Sequence, residues 1–272
     1  MSKSTSSPII LLGRIFYALA LLGFGLQYAL YGHLRRGIPL CPSWLHPSHI
    51  LAYTLAALFI AASLALLTTW RVLAVSVTLG LLLLVSSGLY LQHFNYVLHD
   101  ADGRTLFLEC LSLAATALIL HGLSAGAHAK FTLLPGRILF AFAMVVFGFQ
   151  HFLYIGYLAT LVPAWIPYHN PWILLTGFAL IAAGLSIATT IEDKYASYGL
   201  FLLFFGWLVL LHAPRILHSL HSLHSADEWS SALVVLGFSG TSLLLAAAST
   251  SSKSAPQPKS GTRTKVRKWR TS

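Results

Sequence analysis

Apolar residues run along this chain in long unbroken stretches, and short polar segments separate them. Eight stretches stand out: Ile9 to Tyr31, Ile50 to Thr69, Val72 to Leu98, Leu106 to Ala125, Ile138 to Leu158, Trp172 to Thr190, Ala196 to Leu211 and Trp229 to Ala248. Crossing a hydrocarbon core about 30 Å thick takes about 20 residues of helix, and the stretches are of that order. The period-two alternation of a barrel strand is missing, and a bilayer offers an open backbone no hydrogen-bond partners. The pattern therefore predicts an all-α polytopic membrane protein with eight transmembrane helices. Because the first stretch lacks a small-residue cleavage site, it reads as a retained span and not as a secretory signal.

The same pattern is written twice. From Gly13 the chain reads GRIFYALALLGFGLQYALYG and from Gly136 GRILFAFAMVVFGFQHFLYIG, so Arg14, Phe24, Gly25, Gln27 and Tyr31 recur as Arg137, Phe147, Gly148, Gln150 and Tyr154. A second block, Gly80 to His99, aligns without gaps on Gly199 to His218, matching His93 to His212 and His99 to His218. Two blocks in one order predict a tandem duplication, with residues 1–130 and 131–249 as four-helix repeats and 250–272 as a tail. Four spans per repeat is an even number, so both repeats enter the membrane in the same direction, related by a pseudo-twofold axis along its normal.

Composition sharpens this picture. With 57% hydrophobic and 9% charged residues, the chain cannot clothe a water-facing globule. Lys3, Arg14, Arg71, Lys130, Arg137, Lys194 and the tail fall on one side of the predicted spans, and only Arg35, Arg36, Arg104 and Arg215 on the other. By the positive-inside rule both termini are expected in the cytoplasm, with the chain in a bacterial inner (plasma) membrane. Most of the net charge of +10 comes from the tail, SSKSAPQPKSGTRTKVRKWRTS, a composition that predicts disorder. Its expected partner is anionic lipid, at about 1 kcal/mol per basic residue, and not nucleic acid. Cys41 and Cys110 fall on the non-cytoplasmic side; whether they pair is open, and no CxxC motif points to thiol exchange.

Candidate chemistry lies where polar residues enter the spans. Gln27 and Gln150 sit about 20 Å along their helices from the arginines that open them, in the outer half of the bilayer. A glutamine amide in hydrocarbon needs partners, so both side chains should face the protein interior. His151 follows Gln150 where Tyr28 stands in the first repeat. His93 and His212 close the third and seventh spans, and Arg215 shares a helix face with His212. Gln27, Gln150, His151, His93, His212, Arg215 and Tyr28 form the candidate ligand pocket, with Phe24, Phe147 and Phe149 as apolar walls. No residue is assigned a catalytic role. All the histidines except His121 and His128 map to the outer half, and HSLHSLH (His218, His221, His224) invites a metal reading. Spacing by three drifts around a helix, and no cysteine or paired carboxylate completes a ligand set, so no metal site is expected. No haem motif is found either. The Pro- and Trp-containing loops with Trp44 and Trp165 suit headgroup anchoring. Glu109, within the fourth span, is expected to pair with Arg104 or Arg36.

Several segments resemble the DoxX-like membrane family, usually a single four-helix unit. The likeness rests on an Arg opening the first helix (Arg14, Arg137), FGLQ and FGFQ, the VPAWIP loop from Val162, TGFALIAAGLS from Thr176 and HAPRIL at the end of the seventh span. It covers nearly all but the two tails and is closer in the second copy. The resemblance implies a membrane bundle, and relatives are associated with thiosulfate:quinone oxidoreductase or with maturation of redox enzymes. Many relatives carry a glutamate after the TG pair, where this chain reads Gly177, Phe178, Ala179, Leu180. The leading expectation is a quinone headgroup site linked to respiratory redox chemistry, with a redox membrane partner. A non-catalytic assembly subunit and a small-molecule transporter are the alternatives.

Overall fold

The computed structural model describes residues 7–33, 48–126, 130–219 and 225–253. Every regular element among them is helical. In order these are α1 (Pro8–Tyr31), α2 (His49–Leu67), α3 (Val72–Tyr90), a 3-10 turn (Leu91–His93), α4 (Phe94–His99), α5 (Ala101–Ser124) and α6 (Lys130–Leu153). There follow α7 (Ile155–Leu161), α8 (His169–Thr189), α9 (Asp193–Trp207), a π-turn (Leu208–His212), α10 (Ala213–Ser219) and α11 (Ser225–Lys253). Eight of the described helical segments are long and apolar enough to cross a bilayer, α3 with α4 and α9 with α10 each forming one span. Large apolar side chains such as Leu30, Leu81, Leu153, Phe178 and Leu202 face outwards, as contact with lipid requires. The chain is an all-α integral membrane protein.

Local chemistry sets the helix ends. Pro8 opens α1 in the first turn, where its missing N–H has no intrahelical role, and Gly32 closes it in the left-handed region at φ 63°. Asp100 accepts from the Gly103 amide at 2.9 Å and so starts α5 ahead of the expected Leu106. The expected fifth stretch, Ile138 to Leu158, divides at Tyr154, where α6 gives way to α7. The tight α2–α3 and α8–α9 turns share a backbone form, with Thr69, Arg71, Thr190 and Glu192 all at positive φ.

Helices α5 and α11 form the centre: their spans are 67% and 83% buried, against 22% for the α9–α10 span. Both are rich in Ala, Ser and Thr, which let helix backbones approach closely without a hydrophobic driving force. Around them α1 packs on α2 and α11, α6 on α8 and α5, α3 on α5, and α9 on α11. At the α1–α11 contact a Cβ on Gly13 would lie 2.8 Å from the Gly240 carbonyl oxygen, and at α6–α8 one on Gly148 would lie 2.7 Å from that of Gly177. Where α5 meets α11, the Thr116 and Thr241 hydroxyls are 2.6 Å apart.

The buried face of α3 carries Ser76, Leu79 and Leu83, and that of α9 Ser197, Leu200 and Phe204.

Candidate functional site

The seventh span changes winding at Leu208. An α-helical continuation would direct the amide of residue 214 to the carbonyl of residue 210, but Pro214 has no N–H and its ring clashes with that carbonyl. The chain widens into a π-turn over Leu208–His212, with the Ala213 amide donating to the Leu208 carbonyl. His212 is thereby drawn into the bundle at 7% exposure, and its Nδ1 meets no hydrogen-bond partner among the described residues. One turn on, Arg215 forms an ion pair with Glu228 that ties α10 to α11. Glu228 uses Oε1 for that pair, while its Oε2 is buried without a partner.

An apolar groove of about 360 Å³ runs between α10 and α11, lined by Leu208, Ala213, Ile216, Trp229, Ala232 and Leu233, among others. His212 lies one turn from both Leu208 and Ile216. A groove of this size falls within the usual range of small-molecule sites, about 300–1,000 Å³. A second groove, of about 400 Å³, separates α2 from α3 at the terminus end, with Trp70 and Arg71 on its rim. It contains none of the candidate residues.

Helix α6 sends adjacent candidates to different neighbours. His151 stacks on Trp207 at 5.8 Å with rings 18° apart, and its Nδ1 lies 2.8 Å from the Phe147 carbonyl oxygen. Trp207 immediately precedes the π-turn, so His151 packs against the last α-helical turn before it. Gln150 turns to α5, donating to the Thr105 hydroxyl at 3.2 Å and to the Ala101 carbonyl at 3.5 Å, with Oε1 buried and unpartnered. Gln27 instead bonds Ser230 of α11, its Nε2 donating at 3.1 Å and its Oε1 accepting at 3.3 Å. Both glutamines are buried at 7% exposure, facing inwards as expected. Tyr28 is fully buried and stacks on Phe59 between α1 and α2. His93 stands exposed on the 3-10 turn. His212 and Arg215 thus share the end of the seventh span, while His151 packs on Trp207, Gln27 on Ser230, Gln150 on α5 and Tyr28 on Phe59, and His93 stands exposed.

Other expectations shift as well. Phe149 is 55% exposed and faces away from the bundle, so it walls nothing. Arg104 donates to the Leu98 carbonyl at 2.9 Å and to the Tyr154 hydroxyl at 2.6 Å instead of pairing with Glu109. Arg36 lies outside the described residues, as do Cys41, Trp44, His221, His224 and the tail from 254 onwards. His218 is exposed on α10, and no cluster of three metal-ligating side chains occurs among the described residues. Cys110 is buried, its thiol 3.6 Å from the Leu83 carbonyl oxygen.

Sequence reasoning missed two acidic residues. Glu228 reads as a polar flank of the eighth span, and only its pairing with Arg215 ties it to α10. At the terminus end, Arg137 donates to Asp193 at 2.6 Å, and the Ser249 hydroxyl donates to the same carboxylate oxygen at 2.6 Å. Asp193 reads in the sequence as part of a charged turn, yet it is 3% exposed. Comparison with known protein families, with curated proteins and with solved structures finds no match to this chain.

Proposed function

We propose that this protein binds a quinone headgroup in the groove between α10 and α11, as a DoxX-like membrane protein coupled to respiratory redox chemistry. The carrying observation is His212: a buried imidazole on a π-turn, its Nδ1 unpartnered among the described residues, one turn from Leu208 and Ile216, which line an apolar groove on the bundle surface. A buried polar atom without a partner is costly, and a ligand that supplies the missing bond recovers that cost. A quinone carbonyl accepts a hydrogen bond from an imidazole N–H, and the hydroxyl of the reduced form donates to an imidazole nitrogen or to the open oxygen of Glu228. Arg215 holds Glu228 in place, and Trp229 with the groove aliphatics suits the ring and its first isoprenoid carbons. Oxidation of a quinol releases two electrons and two protons. In this reading His212 and Glu228 accept protons, and a redox partner in the membrane takes the electrons.

Duplication of a four-helix unit belongs to the same reading. It is supported by contacts that recur crosswise: Gly13 meets Gly240 while Gly136 meets Ala115, and Gln27 bonds Ser230 while Gln150 bonds Thr105. In this reading the axis would pass through the Thr116–Thr241 contact. The charge bias supports cytoplasmic termini, with the basic tail on anionic lipid of the inner membrane.

Quinone titration of the purified protein in lipid nanodiscs, read by quenching of Trp229 and Trp207 fluorescence, tests the assignment. Saturable quenching is expected, weakened at least about tenfold in His212→Leu through loss of one buried hydrogen bond. Gln150→Ala should leave it unchanged. Absence of saturation, or wild-type affinity in His212→Leu, overturns the reading.

A further inference from the structure

The terminus ends of α1 and α6 are built alike but finished differently. Gly13 and Gly136 each press on a central helix, and Arg14 and Arg137 follow them. Arg137 is closed off by Asp193 and Ser249. Arg14 is buried to the same degree, at 5% exposure against 6%, yet its Nε is enclosed with no hydrogen-bond partner and no ion pair engages it among the described residues.

The surrounding backbone explains what is missing. Asp193 is the first residue of α9, after the left-handed Glu192; Val72 is the first residue of α3, after the left-handed Arg71. Ser197 donates to the Asp193 carbonyl at 2.7 Å, and Ser76 to the Val72 carbonyl at 2.7 Å. At the ends of the central helices Ser249 donates to the Leu245 carbonyl at 2.9 Å, and Ser124 to the Leu120 carbonyl at 3.0 Å. Each piece of the second arrangement has a counterpart in the first except the carboxylate, where an uncharged Val72 stands. Neither helix start carries a side-chain cap, from Arg71 on α3 or Glu192 on α9. If the two halves correspond, as the duplication proposed above has it, Arg14 falls at the start of α3 as Arg137 does at the start of α9, and that end is a place of positive potential with its anion removed.

We infer that Arg14, with Ser124 and the first amides of α3, forms a binding site for a phosphate-type oxyanion that takes the role Asp193 plays for Arg137. The planar fork of Arg matches two oxygens of such a group, a serine hydroxyl can donate to a third, and free amides at a helix start favour negative charge. The position, at the membrane boundary on the terminus side, admits either the phosphate of a phospholipid headgroup or dissolved phosphate. This site rests on the duplication proposed above but is separate from the groove at His212, so loss of quinone binding leaves it untouched.

The test uses the full chain in nanodiscs of zwitterionic phosphatidylcholine, following the unfolding temperature. One arm adds inorganic phosphate and the other replaces part of the lipid with phosphatidylglycerol. A rise of a few degrees in the first arm identifies the dissolved anion, and a rise confined to the second identifies the lipid phosphate. In either case Arg14→Gln should lose the response, with apparent affinity falling at least about tenfold for loss of a charge-assisted pair. Val72→Asp should lose it too, because it restores the internal carboxylate, and should match or exceed the wild-type unfolding temperature without added anion. That second variant decides the matter if Arg14→Gln does not fold. A wild type insensitive to both probes, or both variants responding as the wild type does, overturns the inference.

Discussion

Replacing Asp193 with Asn asks whether the buried charge at the terminus end of α9 holds the second half of the bundle together. Arg137 and Asp193 are 6% and 3% exposed, and their contact distance of 2.6 Å leaves no room for water between them. Asn keeps an oxygen that can accept from Ser249 but leaves the guanidinium buried without a counter-charge. Breaking a buried pair from one side costs about 3–5 kcal/mol, most of it the price of the stranded charge. Ser249→Ala removes one hydrogen bond to the same carboxylate and should cost about 1.5–3 kcal/mol. Removing both charges with apolar residues, as in Arg137→Met with Asp193→Leu, strands nothing and should fall within about 1 kcal/mol of the wild type. Reversible unfolding in mixed micelles, followed by far-UV circular dichroism against the mole fraction of denaturing detergent, yields these stabilities and, with Arg137→Met and Asp193→Leu made singly, the double-mutant coupling. An Asp193→Asn stability within about 0.5 kcal/mol of the wild type, the range of an ordinary surface change, refutes the stranded charge. So does a double variant that loses the sum of the losses of Arg137→Met and Asp193→Leu.

Other contacts make separate predictions. Gly148→Val should destabilise by about 1–3 kcal/mol, because its Cβ would press on the Gly177 carbonyl 2.7 Å away and on Ile181, forcing α6 from α8; the same unfolding assay reads it. Gln27→Leu should cost more than Gln150→Leu: the first breaks a two-way bond with Ser230, whereas the second also removes the unpartnered Oε1, so a difference of about 1 kcal/mol is expected and equal losses would contradict it. The Thr116→Val and Thr241→Val pair should show a coupling of about 0.6–1.7 kcal/mol in a double-mutant cycle, since each hydroxyl keeps its own helix carbonyl when the other is removed.

Some of this protein is legible in the sequence because a lipid-embedded helix needs only itself to satisfy its backbone. A long apolar run therefore predicts its own secondary structure, and the eight spans follow from it. The inward direction of Gln27 and Gln150 is equally local, since an amide has nowhere else to go in hydrocarbon. Which apolar face meets protein is another matter. Phe147 packs on Phe238 while Phe149, two residues on, faces outwards, and lipid and protein interior are equally apolar, so residue type cannot separate them. Partners decided what spacing could not: Asp193 draws on α6 and α11, and Glu228 reaches Arg215 across from α11 to α10, both through contacts that no local pattern records. The same holds for His212. In the sequence it is one histidine among thirteen; the π-turn before Pro214 and the groove beside it single it out, because winding and cavity exist only once the helices are packed.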